Sequence, residues 1–555
     1  MKRLDKRNKS FIFPSKQHLL QMDYSNEFRE EEQLIAKTIE KFVEEQVNPN
    51  LDKLEAYDYE VAKELFRSTG DLGLLGADVP EAYGGLEMGK RTAGLIAEKM
   101  GYGSSFSVSF NIHTGVGTLP FVYFGTEQQK KRYLPKLTTG EWVGAYALTE
   151  PNAGSDALYA KTTAKKINGK WVLDGEKQWI TNAHIASVYV VFANTTEGIT
   201  TFIVERDRPG VSIGPEEKKL GIKGSSTATL ILEDVELTEE DILGEIGKGH
   251  RIALNILNLA RLKLAFANIG TSKQSLAIAV QYGKERKQFN QEIVQFGMIQ
   301  EKLANMAVAI YGAESTAYYT ASILDGINVE SPSQIVQVLA NYAMDCSINK
   351  VKASETLDYC IDEAVQIHGG YGYMQEYEVE RIYRDSRINR IFEGTNEINR
   401  LTITKSFLKQ YVNAPELMEQ SEKINNVFIR YSHQLLNSIM NALTNRFDLT
   451  ELNQFYLHGL ANILEELYVI KAGEIAVNAD KQPLTVKLFD VLCEEGYMRI
   501  ENQAIVLLSS IYGLENSSKQ EMIQGIRSLP VIYSNLFEKK QEIATEIIAK
   551  SGYFQ

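Results

Sequence analysis

Apolar residues along this chain change their spacing twice, near Val143 and again near Gly247, and those two changes bound the fold. From about Asn26 to Arg67 they recur at threes and fours amid Glu and Lys, as in EEQLIAKTIEKFVEEQV, which is helical spacing. The same period resumes near Thr92 and lasts to about Thr138, where QQKKRYLPKL supplies a charged face and a helix end. After Val143 come short runs rich in β-branched and aromatic residues: VGAYAL, KTTAKKING, KWVLDGEKQWITNA, VYVVFAN, TTFIVER and TATLILEDVEL. NG, DG and GPE turns divide them, so antiparallel strands closing into a small barrel or sandwich are expected. From Gly247 the helical period returns with NILNLARLKLAFANIGTSKQSLAIAVQYGKERKQF and persists to about Tyr411. Helices, sheet, helices is a segregated order, which indicates an α+β multidomain chain and not a doubly wound fold. The expected parts are an N-terminal extension (1–25), an α-helical domain (26–142), an antiparallel β-barrel domain (143–246), an α-helical bundle (247–411) and an extra α-helical domain (412–555).

Beyond about Asn413, segments such as KINNVFIRYSHQLLNSIMNAL and GLANILEELYVIKAGEIAVNA are amphipathic, with no glycine-rich loop and no convergent polar set. They read as packing and oligomerisation surface; peripheral contact with a membrane is the other use such faces have. The length of 555 residues allows two to four domains, and a net charge of -13 weighs against a nucleic-acid partner, whose phosphates need a positive surface. Cys346, Cys360 and Cys493 form no CxxC, so a reduced compartment without a disulfide framework is expected, and seven scattered His with no HExxH give no metal site. No uninterrupted apolar run approaches the ~20 residues of a spanning helix. MKRLDKRNKSFIFPSKQ is basic but lacks the apolar core and cleavage site of a secretory signal, which ranks a frayed terminus first and a transit peptide second. A cytoplasmic protein is expected, or a mitochondrial one if the source is eukaryotic. TGDLGLLGADVPEAYGG has the glycines of a dinucleotide loop but neither its spacing nor a preceding strand.

The stretch RDSRINRIFEGTNEINR, Arg384 to Arg400, places one carboxylate, Glu393, between the apolar pair Ile391 and Phe392 and Gly394, with Thr395 two residues on. Partial burial there disfavours the ionised form and raises a carboxyl pKa toward neutrality, as a general base requires. Carboxylates near helix ends also cap helices and complement their dipoles, and the stretch alone does not separate the two uses. YALTEPNAGSDA, Tyr146 to Ala157, carries small residues (Ala153, Gly154, Ser155) that admit a ligand to the backbone, and hydroxyls on Thr149 and Ser155; the plainer reading is a polar turn. GEKQWITNA puts Trp179 and Thr181 two apart on one strand face, where an indole covers a flat aromatic ring and a hydroxyl meets its edge, although a strand Trp is otherwise core. VQIHGGYGYMQEY, Val365 to Tyr377, clusters glycines after a helical run, with amides suited to a phosphate or ribose.

Together these stretches resemble the acyl-CoA dehydrogenases from about Asp23 to Phe407, with YALTEPNAGSDA similar to the family's first signature and QIHGGYGYMQEYEVERIYRDSRI to its second. The resemblance implies a helical domain, a β-barrel domain and a four-helix bundle. It also implies FAD-dependent α,β-desaturation of an acyl-CoA to trans-2-enoyl-CoA in fatty acid β-oxidation. Glu393 would be the catalytic base. Tyr146, Leu148, Thr149, Gly154 and Ser155 would line the FAD isoalloxazine and pyrophosphate, with Ser155 also facing the acyl-CoA. Trp179 would pack beside the flavin and Thr181 reach its N5 region. Arg286, Phe289, Gln366, Gly369 and Gly370 would hold the adenine half of an FAD bound by the neighbouring subunit, and Thr395 and Glu397 would touch the same cofactor. Asn258, Arg261, Phe392 and Gly394 would line or shape the substrate site. Ala260 stands where some relatives carry the base, and it cannot accept a proton. The departures from the family pattern are Asn258 for Asp, Gly297 for Gln, Ala228 for Arg and Glu397 for Gln. The extension resembles that of the very-long-chain branch, so a long acyl chain, a homodimer and an electron-transfer flavoprotein as acceptor are expected. An acyl-CoA oxidase, or a flavin-containing regulatory protein on the same scaffold, is the alternative.

Overall fold

The computed structural model describes residues 29–327, 332–413, 424–513 and 533–553, with positions 520, 524–526 and 529 between the last two. The basic extension 1–25 lies outside the described residues. Residues 30–138 are helical, the longer helices being Glu30–Phe42, Tyr59–Asp71, Lys90–Met100, Ser104–Ile112 and Glu127–Thr138. Local chemistry starts them: Asp58 Oδ1 accepts from Val61 N at 3.2 Å, and Thr126 with Gln129 closes a capping box. Ile39, Phe42, Leu65, Phe66, Ile96 and Phe106 bury the apolar faces that the threes-and-fours spacing anticipates.

Eight strands follow in one sheet: β1 (Gly144–Ala147), β2 (Thr163–Ile167), β3 (Lys170–Thr181), β4 (Val188–Thr195), β5 (Gly198–Glu205), β6 (Val211–Ile213), β7 (Thr227–Leu237) and β8 (Ile242–Leu243). Their order is β6-β7-β3-β2-β4-β5-β8, with β1 beside β4. Pairing is antiparallel except around β4, which runs parallel to β1 and meets β2 in parallel at Asn194 and Thr163. Alternate side chains, among them Leu173, Tyr189, Val191, Phe202, Leu230 and Val235, fill the core of this domain.

The second helical part is built on the 37-residue helix Gly249–Glu285, packed against Gly297–Asp325 and Ala343–His368. This helix is long and apolar enough to cross a membrane, yet 83% of its most apolar window is buried inside the protein. Arg261 and Lys263 interrupt the run, which is why the sequence shows no continuous apolar span.

The helices Val427–Arg446, Gln454–Ala479, Pro483–Tyr512 and Leu536–Lys550 complete the fold, with the side chains of Asn426, Asn453 and Asn535 capping the first, second and fourth. They share a core with the bundle: one apolar cluster runs from Leu262 and Ala307 through Leu436, Leu464 and Leu492 to Ile547. At Gly312 a Cβ would come within 3.0 Å of Leu492 and Val469, so glycine is what lets these helices approach. Polar ties cross the same boundary. Arg400, held within the bundle by Glu355 at 2.8 and 3.0 Å, donates across the boundary to Asn462 Oδ1 at 3.0 Å, and the Tyr553 hydroxyl reaches Glu314 Oε2 at 2.8 Å.

Candidate active site

Glu393 lies in the short turn between the helix Glu378–Ser386 and the helix Asn396–Asn413. Its φ is 56° and that of Gly394 is 83°, so two successive residues are left-handed, a conformation that costs a side-chain-bearing residue on the order of 1–2 kcal/mol. Three donors hold the turn by its carbonyls. Arg261 Nε donates to Glu393 O at 3.0 Å, and Lys350 Nζ and Asn399 Nδ2 each donate to Gly394 O at 2.8 Å. The Glu393 N–H donates to no atom among the described residues, which leaves it available to a guest. Thr395 Oγ1 accepts from Ile398 N and so starts the next helix.

Asn258 is expected near the substrate, but both ends of its amide are engaged. Oδ1 accepts from Arg261 Nη1 at 2.9 Å and Nδ2 donates to Leu339 O at 3.1 Å, so it orients the arginine that binds the Glu393 carbonyl. Lys350 is the residue that the sequence reading missed. It is fully buried, and its ammonium also donates to Asn396 Oδ1 at 2.7 Å. The sequence carries only a weak signal, the spacing by three and four of Ser347, Lys350 and Ser354, which the structure turns to the buried side of a helix whose other positions are largely polar.

Burial pushes the Glu393 carboxyl up from 4.5 to about 7, while Arg261 and Lys350 pull it back. Burial likewise draws Lys350 down to about 7, against the attraction of Glu393. The Tyr146 phenol is pushed well above its usual range, first by burial and then by the Glu393 charge. Glu393 as a residue keeps some surface exposure, but its Oε2 is enclosed, and neither Oε2 nor Tyr146 Oη has a hydrogen-bond partner among the described residues. Buried polar atoms without partners are rare in folded proteins and are characteristic of places that bind a ligand or water.

Glu393 and Phe392 line a pocket that opens to solvent and that, with its opening, holds about 750 Å³ of atom-free space. Its wall along the Gly249–Glu285 helix is formed by Ala260, Leu264, Ala267, Asn268, Thr271 and Gln274, one helix face at spacings of three and four. Ala260 thus lines the same pocket as Glu393, without a proton-accepting group.

On the sheet, β3 is bulged between Lys177 and Ile180, and Trp179 sits in the bulge with φ 60°. Its indole is 56% exposed, so it is not the core tryptophan of the plainer reading. The loop 149–155 is tied to this strand: Gln178 N donates to Thr149 O at 2.8 Å, and a buried ion pair joins Lys177 to Glu150 at 2.7 Å. Gly154 and Ser155 are exposed at the tip of the loop, whereas the Leu148 side chain is buried and offers only its backbone.

A second group gathers on the far part of the bundle. Arg286 lies over the Tyr371 ring at 5.5 Å and lines a surface cleft with Gly369 and Gly370, where an added Cβ would meet nothing. Phe289, 88% exposed with φ 52°, is at the turn of a hairpin formed by β9 (Lys287–Gln288) and β10 (Gln291–Glu292). Gln366 and Glu397 are exposed as well. Of the departures, Gly297 is exposed at a helix start, and Ala228 is fully buried opposite Ile180, in core space that leaves no room for an arginine.

Three family models match the chain: acyl-CoA dehydrogenase N-terminal domain over residues 29–141, middle domain over 145–235 and C-terminal domain over 247–408. A probable acyl-CoA dehydrogenase of Bacillus subtilis is 42% identical over 96% of this chain and 96% of its own length. The human mitochondrial very long-chain specific acyl-CoA dehydrogenase is 37% identical over 66% of this chain and 56% of its own. A crystal structure of an acyl-CoA dehydrogenase complexed with FAD from Bacillus anthracis superposes with a TM-score of 0.91 at 42% identity, covering 97% of this chain and 98% of the other. A buried carboxylate on a strained turn, an exposed tryptophan in a strand bulge and these likenesses agree: the chain belongs to the acyl-CoA dehydrogenase family of oxidoreductases.

Proposed function

We propose that this chain oxidises the Cα–Cβ bond of a long acyl-CoA thioester, using FAD as its cofactor and passing the electrons to an electron-transfer flavoprotein. The observation that carries the reading is the Glu393 carboxylate, its Oε2 enclosed and without a hydrogen-bond partner among the described residues, poised near neutrality and lining a long pocket. The residues present fit the cofactor. Trp179 offers a flat apolar face, Tyr146 Oη is a buried group lacking a partner, and Gly369 and Gly370 leave room for close backbone approach. The loop Thr149–Ser155 with Trp179 and Thr181 would hold the flavin end, and Arg286, Phe289 and Gln366 of a second copy the adenine end, which makes a homodimer the working assembly. When bound, FAD supplies the acceptor for the β-hydrogen, leaving as hydride.

The protein's own part is the proton. An α-proton beside a thioester is weakly acidic in water, so the carbonyl oxygen must gain a donor as the proton leaves. The unspent Glu393 N–H is that donor, and the Glu393 carboxylate takes the α-proton as the Cα=Cβ bond forms. Arg261, Lys350 and Asn399 keep both groups in place by fixing the carbonyls of the turn. The cavity wall runs from Ala260 to Gln274 over about 21 Å at 1.5 Å per residue, which suits a long chain. Anaerobic mixing of the flavin-loaded protein with acyl-CoAs from short to very long, followed by flavin bleaching, tests this. Bleaching that strengthens with chain length is expected; no bleaching with any member overturns the proposal.

A further inference from the structure

This inference rests on the acyl-CoA reading above and concerns the far end of the same channel. The helix Ser104–Ile112 and its flanks run antiparallel to Gly249–Glu285, since Lys263 Nζ reaches Thr114 O at 3.1 Å and Thr271 Oγ1 reaches Gly101 O at 2.9 Å. Ile112 and Val116 therefore stand with Ala260 and Leu264 near the base, and Ser104 and Ser107 stand with Asn268 and Thr271 farther along. Polar side chains are interspersed among the apolar ones along this lining. Three polar atoms of that lining have no partner among the described residues: Asn268 Nδ2, Asn111 Oδ1 and Asp385 Oδ2. Asn268 is 2% exposed. Asn111 is held with Oδ1 free because its Nδ2 donates to Ser107 O at 2.9 Å and Ser107 Oγ at 3.3 Å. Asp385 is held because its Oδ1 accepts from Ile222 N.

One donor and two acceptors thus line the same pocket without partners of their own, and a plain hydrocarbon chain satisfies none of them. We propose that the channel selects acyl chains carrying a hydroxyl, or another group that both donates and accepts, about 12 Å from the reacting carbons, the span from Ala260 to Asn268 along the helix. Such a hydroxyl accepts from Asn268 Nδ2 and donates to Asn111 Oδ1 or Asp385 Oδ2. A carboxylate tail meets the Asp385 carboxylate instead and is the poorer guest.

The test uses the full-length, FAD-loaded protein and pairs of acyl-CoAs of equal length, with and without one hydroxyl moved stepwise along the chain, scored by anaerobic flavin bleaching. A kcat/KM advantage of about tenfold or more over the plain partner is expected, peaking at the ~12 Å position. In Asn268→Leu the hydroxylated-to-plain ratio falls to about one. The wild-type series decides the matter without the variant: plain chains equal to or better than every hydroxylated partner overturn the inference, water then being the guest of these atoms. Absence of bleaching with all substrates would instead remove the acyl-CoA reading, and this inference with it.

Discussion

Replacing Glu393 by Gln should move activity and stability in opposite directions. Folding raises this carboxyl from 4.5 to about 7, chiefly by burial. A group raised in this way binds its proton more tightly folded than unfolded, so its contribution favours the fold below about pH 4.5 and is lost as pH climbs through about 7. At roughly 1.4 kcal/mol per unit, the ionised carboxylate costs the fold about 3 kcal/mol at pH 8. Gln has the same shape without the charge and escapes that cost. For a chain of this length the unfolding entropy is on the order of 1 kcal/mol per kelvin, so Glu393→Gln should melt about 2–3 °C higher at pH 8 and no higher at pH 4.5. Scanning calorimetry of the flavin-bound proteins across that range reads the stability, and stopped-flow bleaching reads the chemistry, which should fall by several orders of magnitude. A Tm difference that does not change with pH would refute the buried-carboxylate reasoning. Near-normal bleaching would refute the assignment of the base.

Lys350→Met removes two buried hydrogen bonds to the turn and one of the cations that hold the Glu393 pKa down. The acid limb of log kcat/KM against pH should therefore shift upward from about 7, by about one unit. An equal loss at every pH would show a structural role only. Trp179→Ala removes a side chain that is 56% exposed, so apoprotein melting should change by no more than about 0.5 kcal/mol while flavin is lost on dilution, as absorbance at the flavin band will report. Unaltered flavin retention would detach Trp179 from the cofactor site. Ending the chain at Asn413 strips the bundle of the helices that complete its core, so a soluble, monodisperse product in sedimentation would contradict the shared cluster from Leu262 to Ile547.

Much of this site is local in the chain and therefore legible in it. The order of helices and strands follows from apolar spacing, and Glu393 stands out as a candidate base because it has greasy neighbours and a glycine beside it, all within four residues, although that stretch alone suits a helix-capping carboxylate as well. Trp179 and the loop 149–155 are likewise short stretches whose residue types limit their use. Asn258 shows where this stops: the family resemblance implies a place near the substrate, and only the fold reveals that its amide binds Arg261 and Leu339. Lys350 shows the same limit from the other side, since a lysine on a helix reads as a solvated side chain until its surroundings are known.

The sequence by itself determined which elements form and which carboxylate is the candidate base, because propensity, spacing and turn chemistry operate over a few residues. The tertiary structure decided how basic that carboxylate is and what holds it. Arg261 arrives from 132 positions away and Lys350 from 44 positions before the carbonyl it binds. Burial and Coulomb interaction depend on distance through space, and that distance exists only once the helices have packed.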